Sequence, residues 1–293
     1  MGKVYDGIMG LVVGDALGVP VEFKQRDSFA VTGMVGYGTY NQKPGTWSDD
    51  SSMTLATLDS LVRNKGKIVL EDIMQNFYKW LFHCEFTPYG DVFDVGGTTR
   101  RAINLYARGY ELDACGCDGE MDNGNGSLMR ILPLAFVPHT DNDIHAVSAL
   151  THKHRISKFG CELYLAIAEN LIKGMRKQVA VDVAVAGIGG LLTEYERFAD
   201  HIERLNRNDI RSSGYVVDTL EAAVWCFLNT DSYKDCVLLA VNLGGDTDTV
   251  AAVAGGLAGI YYGCTGTNGI PDEWIAQISR LDWIKGLCEN LES

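Results

Sequence analysis

The strongest constraint on the fold is a helical repeat of apolar side chains that runs through most of the chain. It is clearest where Leu70, Ile73, Met74, Phe77 and Leu81 recur at the spacing of one helix face. Apolar residues alternating with polar ones between hairpin turns, the pattern of β-strands, do not occur in the sequence. The sequence therefore predicts an all-α protein with about a dozen helices.

Eleven segments carry this helical pattern. The predicted helices cover residues 4–17, 52–62, 70–81, 98–108, 144–151, 157–175, 181–195, 216–228, 233–241, 247–262 and 271–279. Residues 251–263 are rich in Gly and Ala, and Gly within a helix costs about 1 kcal/mol relative to Ala, so this stretch predicts close approach between helices. No linker, composition break or repeat divides the chain, and we expect one compact multi-helix bundle over residues 1–293.

The net charge of −13 restricts the partners of the chain. Nucleic acids and anionic membranes would be repelled at long range, so we expect neither a direct nucleic-acid surface nor a membrane partner. This charge suits a protein that binds cations. The sequence has no signal-peptide pattern and no charge-free apolar run of about 18 residues. We therefore expect a cytoplasmic protein, with a monomer as the favoured state.

The eight cysteines are scattered along the chain, mostly in apolar, helix-like runs where a thiol behaves as a small hydrophobic group. Only Cys115 and Cys117 are close neighbours. A C-x-C pair without two further ligands at matching spacing favours a structural role over a zinc site. The pattern indicates a reducing compartment.

Two acidic clusters stand directly before predicted helices. The first, W-S-D-D-S-S, occupies residues 47–52, and the second, G-G-D-T-D-T, occupies residues 244–249. Asp and Ser at a helix start are also typical N-caps, and for the second cluster alone capping and metal binding stay equally open. Together the clusters supply four carboxylates and several hydroxyls, the ligands that Mg²⁺ and Mn²⁺ prefer. Two cations about 3.5–4 Å apart need a carboxylate-rich site of this kind.

Three further segments carry weaker signals. The motif G-D-A-L-G-V-P-V-E ends at Glu22, which taken alone is typical of a solvated loop residue. Residues 93–99 (F-D-V-G-G-T-T) and 125–130 (N-G-S-L-M-R) open helices with glycines and hydroxyls, whose free N–H groups can bind phosphate. Neither segment matches a Walker A or Rossmann fingerprint, and each alone is more typical of a helix cap.

Seven motifs occur together in a fixed order, and this order resembles that of the ADP-ribosylglycohydrolase family. They are GDALG-x-P-x-E, W-S-D-D-S, FDVGGTT, GNGSLMR, TH-x-H, GYVVDTLEAA and GGDTDT, spread over residues 6–263. The resemblance implies an all-α bundle with a dinuclear Mg²⁺ or Mn²⁺ site in a cleft. It also implies hydrolysis of the bond between ADP-ribose and a modified protein side chain, such as arginine, or a small-molecule acceptor.

The resemblance also assigns roles to individual residues. The implied metal ligands are Ser48, Asp49, Asp50, Asp246, Asp248 and Thr249, with Asp248 as the bridging ligand. The implied catalytic residues are Glu22, a mobile acid beside the metals, Asp94, which would position or activate water at the scissile ribose, and Asp49. The implied substrate-binding residues are Gly96, Asn125, Gly126, Ser127 and Met129 around the diphosphate, His152 at the distal ribose or phosphate, and Tyr215 near the adenine.

The chain departs from the family pattern at two positions. The family usually has Thr where this chain has Ser48 and Ser51. A Ser hydroxyl still binds a cation, so we expect metal binding to survive, with the metal preference left open. Two alternatives remain: a non-catalytic relative that binds ADP-ribose or resembles the crystallins, and a dinuclear phosphoesterase that cuts the diphosphate.

Overall fold

The computed structural model describes residues 2–293, and over this range it confirms the all-α prediction. Thirteen α-helices and eight short 3-10 helices form its regular structure, and β-pairing in the described range is limited to isolated bridges. The helices are α1 (Lys3–Gly18), α2 (Asp49–Arg63), α3 (Leu70–His83), α4 (Gly97–Ala107), α5 (Leu112–Cys115), α6 (Asp141–Ala149), α7 (Arg155–Ile172), α8 (Lys177–Gly187), α9 (Val216–Leu228), α10 (Tyr233–Val241), α11 (Thr247–Tyr262), α12 (Asp272–Ile275) and α13 (Leu281–Glu292).

Two of the predicted helices were too long, and two helices were missed. The prediction for 181–195 was wrong beyond Gly187, because Gly189 and Gly190 adopt positive φ angles that a helix cannot continue through. The prediction for 271–279 shrinks to the single turn of α12. The short helix α5 and the C-terminal helix α13 were not predicted. The predictions for α9, α10 and α11 coincide with the observed helices.

Helices α1 and α11 cross at the centre of the molecule with their backbones in contact. A methyl group at Gly14 would overlap the Ala251 carbonyl oxygen, and one at Gly18 would overlap Asp248 Cα. The Thr247 hydroxyl donates a hydrogen bond of 2.8 Å to the Gly18 carbonyl oxygen. The predicted close approach of helices is therefore confirmed. The end of α1 therefore lies against the start of α11. This contact fixes the position of the loop that follows α1.

The segment Lys3–Val21 is long and apolar enough to span a membrane, with a mean hydropathy of 1.4. All of the residues in that window are buried inside the protein. Core helices of this kind have the same length and composition as membrane spans, so burial by α11 accounts for its apolar character.

Most of the cysteines lie in the core, as predicted. All eight are free, and six of them are buried. Cys115 is buried beside the Glu111 carbonyl oxygen, whereas Cys117 Sγ accepts a hydrogen bond of 3.0 Å from Arg101 Nε. Among residues 2–293, the only cluster of potential metal ligands contains no cysteine.

Candidate functional site

The two acidic clusters, far apart in the sequence, meet at the N-termini of α2 and α11. The first cluster begins α2 and the second begins α11. The Thr249 hydroxyl donates a hydrogen bond of 3.3 Å to Asp50 Oδ2, across 199 residues of sequence. Asp50 and Asp248 are both fully buried. The two acidic clusters therefore lie close enough to form one site.

Asp15, a residue to which the sequence assigned no role, holds the first cluster in place. Its carboxylate accepts hydrogen bonds from Ser48 N at 3.0 Å and from Ser51 N at 3.0 Å. The Ser51 hydroxyl donates a third bond of 2.5 Å. Asp15 lies on α1 and is fully buried, so the central helix pair fixes the loop that leads into α2. A buried acid within an apolar helix was the signal that could have revealed it.

Three carboxylates form the tightest part of the site. Oxygen atoms of Glu22, Asp94 and Asp248 all lie within 4.8 Å of one another. Glu22 follows the helix crossing and Asp94 precedes α4, so three separate segments converge here. Asp94 has a φ angle of 49°, in the left-handed region that non-glycine residues seldom occupy. Backbone strain of this kind is typical of functional sites.

The site contains more negative charge than the protein itself compensates. Glu22, Asp50, Asp246 and Asp248 each have a buried carboxylate oxygen without a hydrogen-bond partner. None of the ion pairs formed by residues 2–293 involves these four residues or Asp49 and Asp94. Buried charges without partners are costly, so these carboxylates are either protonated or balanced by bound cations.

Burial and mutual repulsion change the acidity of these groups. Burial, reinforced by the Asp94 charge, raises the pKa of Glu22 to about 9. Burial followed by neighbouring carboxylates also raises the pKa of Asp49, Asp50 and Asp248 well above the ordinary value. Bound divalent cations would reverse these shifts, because they favour the ionised form of a carboxylate. The unpartnered oxygens and the all-oxygen donor set fit hard divalent cations such as Mg²⁺ or Mn²⁺.

A cavity of about 230 Å³ opens beside these acids. Its lining joins acidic residues at one end to glycines and hydroxyls at the N-terminus of α4. The lining residues are Glu22, Phe23, Asp49, Asp94, Gly96, Gly97, Thr98, Thr99, Gly124, Asn125, Gly126, Met129, His152, Gly214, Asp246 and Thr249. Backbone N–H groups at a helix N-terminus attract anions, so the glycine end can bind a phosphate while the acidic end binds cations.

Most of the residues implied to bind substrate line this cavity. Gly96, Asn125, Gly126, Met129 and His152 are among them. A methyl group at Gly126 would lie 2.8 Å from both Thr99 Oγ1 and His152 Cε1, so only glycine fits between these side chains. Thr98 and Thr99 of the predicted phosphate-binding segment 93–99 also line the cavity, as does Phe23, which the sequence did not single out.

Two of the implied substrate residues lie elsewhere. The Ser127 side chain is buried, and its hydroxyl accepts a hydrogen bond of 2.9 Å from Ser148 Oγ. Tyr215 is partly exposed in a surface depression of about 570 Å³, which shares Gly124 and Gly214 with the cavity. The depression thus continues the cavity towards Tyr215.

Asn125 connects the cavity to the acidic cluster. Its Nδ2 donates hydrogen bonds of 2.9 Å to Asp246 Oδ2 and to Thr219 Oγ1. Its backbone N–H donates to the Gly214 carbonyl oxygen at 3.0 Å. The amide therefore orients one carboxylate oxygen of Asp246 and leaves the other free for a ligand.

The chain is similar to proteins of known activity over most of its length. The ADP-ribosylarginine hydrolase Tri1 of Serratia proteamaculans (strain 568) is 34% identical over 294 residues, covering 99% of this chain and 78% of that protein. The ADP-ribosyl-[dinitrogen reductase] glycohydrolase of Rhodospirillum rubrum is 34% identical over 286 residues, covering 94% of this chain and 90% of that protein.

A solved structure and a family profile agree with these relatives. The solved structure, described as an ADP-ribosylglycohydrolase-related protein complex, superimposes with a TM-score of 0.84 at 30% identity, covering 99% of this chain and 96% of that one. The profile of the ADP-ribosylglycohydrolase family matches residues 1–293. With the converging acids and the helix-terminus cavity already established, these matches show that the chain belongs to the ADP-ribosylglycohydrolase family.

Proposed function

We propose that this protein hydrolyses the glycosidic bond between ADP-ribose and a modified protein side chain, with ADP-ribosylated arginine as the first acceptor to test. Relatives at 34% identity are named as hydrolases of ADP-ribosylarginine and of ADP-ribosylated dinitrogen reductase. The observation that carries the proposal is the single cavity in which a carboxylate cluster faces the N-terminus of α4. Such a cavity suits a ligand with ribose hydroxyls at one end and a diphosphate at the other.

Two divalent cations, Mg²⁺ or Mn²⁺, are the proposed cofactors. Their candidate ligands are Ser48, Asp49, Asp50, Asp246, Asp248 and Thr249. The unpartnered oxygens of Asp50, Asp246 and Asp248 support this set. When bound, the cations would supply Lewis acidity to the ribose hydroxyls and to the attacking water.

The protein's own residues would bind and orient the rest of the substrate. The N–H groups at the start of α4, near Gly96 and Gly97, would receive the diphosphate together with the loop at Asn125 and Gly126. Tyr215, partly exposed in the adjoining depression, would stack on the adenine. These contacts would offset the repulsion between the substrate phosphates and a chain of net charge −13.

The bond change takes place at the anomeric carbon of the proximal ribose. A water oxygen forms the new bond to this carbon while the bond to the acceptor nitrogen breaks. Glu22 or Asp94 would take the proton from the water, and the departing guanidine would gain a proton. The transition state would have oxocarbenium character, as in other glycosidic cleavages. Both carboxylates belong to the tight acidic cluster and line the cavity, which supports these roles.

Product analysis tests the proposal directly. Purified protein is incubated with ADP-ribosylated arginine and Mg²⁺ or Mn²⁺, with an EDTA-treated control. We expect free ADP-ribose as the product with Mg²⁺ or Mn²⁺, and no ADP-ribose in the EDTA-treated control. Formation of AMP would instead support the dinuclear phosphoesterase. Tight binding of ADP-ribose without turnover would support a non-catalytic relative, which conflicts with the intact set of acids.

Other features of the protein stay predictions. A single domain over residues 1–293, a cytoplasmic location and a monomeric state are still expected from the sequence. We also still expect Ser48, in place of the usual Thr, to bind a cation. A panel of ADP-ribosylated arginine, serine and nucleobase substrates under fixed metal conditions would identify the acceptor.

A further inference from the structure

Arg130 is a fully buried cation to which the proposed reaction gives no role. Its Nε and Nη1 atoms have no hydrogen-bond partner, and none of the ion pairs of residues 2–293 includes it. Its guanidinium lies over the Phe77 ring at 4.5 Å from the centroid. Burial lowers the pKa of Arg130 to about 10, so the group remains charged at neutral pH. Burying an unpaired charge is costly, so a role in hydrogen bonding would explain why this buried position has a charged side chain.

Arg130 Nη2 donates a hydrogen bond of 3.2 Å to the Val147 carbonyl oxygen, and its one side-chain partner is a hydroxyl group. Arg130 Nη2 donates a hydrogen bond of 2.8 Å to Thr151 Oγ1. The same oxygen lies 2.8 Å from His152 Nδ1. Both Thr151 and His152 are buried. The three side chains therefore form a chain from the buried guanidinium to the imidazole.

The proton positions in this chain follow from the donor and acceptor inventory. A guanidinium has only donors, so Thr151 Oγ1 must accept from Arg130. The Thr151 proton then has one acceptor in reach, which is His152 Nδ1. If Nδ1 carried a proton itself, the Thr151 hydroxyl would be buried without an acceptor. The favoured arrangement places the imidazole proton on Nε2.

The Nε2 edge of the ring faces the cavity. A methyl group built on Gly124 would have His152 Nε2 as its nearest neighbour at 3.5 Å, and His152 lines the cavity. The backbone on either side is fixed, because Cys117 N donates to the Thr151 carbonyl oxygen at 3.0 Å and Lys153 N donates to the Cys117 carbonyl oxygen at 2.8 Å. The imidazole thus has little freedom to turn away.

We propose that Arg130 and Thr151 are positioning residues that hold His152 as a neutral imidazole with its proton on Nε2, so that it donates a hydrogen bond to an oxygen of the ADP-ribose moiety. This inference rests on the proposed function, since it assigns the donor to that substrate. Phosphate and ribose oxygens accept hydrogen bonds, and a preset donor binds them without reorganisation.

The charges around the ring agree with a neutral imidazole. Burial and the Arg130 charge lower the pKa of His152 to about 3. Asp122 raises it and Arg101 lowers it, and these two residues pair with each other at the surface. A donor that stays neutral adds no pH dependence to binding across the cellular range.

The test compares Thr151→Val with Thr151→Ser in the full-length protein. ADP-ribose binding is measured by calorimetry, and the imidazole state is read from ¹⁵N-histidine spectra with His152→Ala for assignment. We expect wild type and Thr151→Ser to show a protonated Nε2 that does not titrate between about pH 5 and pH 8. Thr151→Val should bind ADP-ribose roughly 10- to 100-fold more weakly.

A kinetic readout separates positioning from a structural role. The proposed contact is remote from the reacting carbon, so Thr151→Val should raise KM while kcat stays within about 2-fold. If Thr151→Val does not fold, Thr151→Ala removes the same hydroxyl and replaces it in the comparison. A wild-type spectrum with the proton on Nδ1, a doubly protonated ring near neutral pH, or equal ADP-ribose affinity in the Val and Ser variants would overturn the proposal.

The proposed function can fail separately. If wild type binds ADP-ribose but cleaves no conjugate, the hydrolase proposal is wrong. The positioning role of Arg130 and Thr151 still holds in that case, provided that the ¹⁵N-histidine spectra show the His152 proton on Nε2. If wild type does not bind ADP-ribose at all, both the function and the substrate role of His152 are overturned.

Discussion

The Thr249 hydroxyl donates a hydrogen bond to Asp50 Oδ2 over 3.3 Å, joining the first turns of α2 and α11. The other oxygen of Asp50 is buried without a partner, as is Oδ2 of Asp248 one residue before Thr249. The two helix starts therefore present free carboxylate oxygens to one space. This geometry suits the divalent cations that we propose as cofactors and leads to the first two predictions.

Replacing Asp248 with Asn should abolish turnover. The substitution keeps the shape of the side chain but removes the charge of a residue that would hold the cations. Loss of several kcal/mol of transition-state stabilisation corresponds to a rate decrease of about 100-fold or more. Hydrolysis assays and Mn²⁺ titration calorimetry measure the two effects. Asp231→Asn, at an exposed site, is the matched control. Wild-type rates and metal stoichiometry in Asp248→Asn would contradict the metal assignment.

Removing divalent cations should destabilise the wild-type protein. A ligand that binds only the folded state stabilises it by about 2.7 kcal/mol at 100 times its dissociation constant. Because the buried carboxylates repel one another without cations, we expect a higher Tm in Mg²⁺ or Mn²⁺ than in EDTA. Thermal unfolding of wild type and Asp248→Asn measures it, and the variant should lose most of the difference. An unchanged wild-type Tm would count against cations bound in the site.

Asp15 should prove essential although it lies outside the cavity. Asp15→Asn leaves at least one of the donors from Ser48 and Ser51 without an acceptor, which costs about 2–3 kcal/mol for a buried charged acceptor. Denaturant unfolding measures this loss. Ser51→Ala should cost about 1 kcal/mol, whereas Ser51→Thr should keep the hydroxyl and the stability. If Asp15→Asn and wild type are equally stable, Asp15 does not hold the loop before α2.

The helices were largely predictable from the sequence because their ends carry local signals. Ser232 caps α10 through Asp235 N, and Gly263 follows α11 with a positive φ. The amphipathic helix α13 was missed even though its apolar positions are regular. Sequence patterns reflect residues that are close in the chain, so they predict individual helices better than the packing of helices against one another.

The two acidic clusters and their shared site were predicted from the sequence. The residues that bring the clusters together, at the crossing of α1 with α11, were not. The role of Asp15 could not be predicted from the local sequence, because its partners Ser48 and Ser51 are 33 and 36 residues away. Thr99 and His152 both lie so close to Gly126 that an added methyl group would be 2.8 Å from each. Contacts of this kind follow from packing and cannot be read from spacing along the chain.

Replacing Gly126 with Ala should block substrate binding while metal binding persists. The added methyl would lie 2.8 Å from the side chains of Thr99 and His152, so these must move apart and narrow the cavity. We expect a loss of ADP-ribose affinity of about 10-fold or more, by displacement of the groups that bind the phosphates. Calorimetry with ADP-ribose and with Mn²⁺ separates the two ligands. Gly286→Ala, where nothing lies within 4 Å, is the control. Equal ADP-ribose affinity in Gly126→Ala and wild type would show that the phosphates bind elsewhere.

Replacing Gly14 with Ala should damage both the fold and the site, because the loop that contains Glu22 follows the central helix crossing. A methyl at Gly14 would overlap the Ala251 carbonyl oxygen, a backbone atom that cannot turn aside. Overpacking of this kind costs about 1–3 kcal/mol or more. Helix α1 would shift away from α11 and take Asp15 and the Glu22 loop with it. Hydrolysis should therefore fall several-fold even at temperatures where unfolding assays show the variant folded. Gly187→Ala, in open space at the end of α8, should neither destabilise the protein nor lower hydrolysis. A folded Gly14→Ala variant with wild-type activity would mean that the site tolerates movement of α1, and the close helix contact would then serve stability alone.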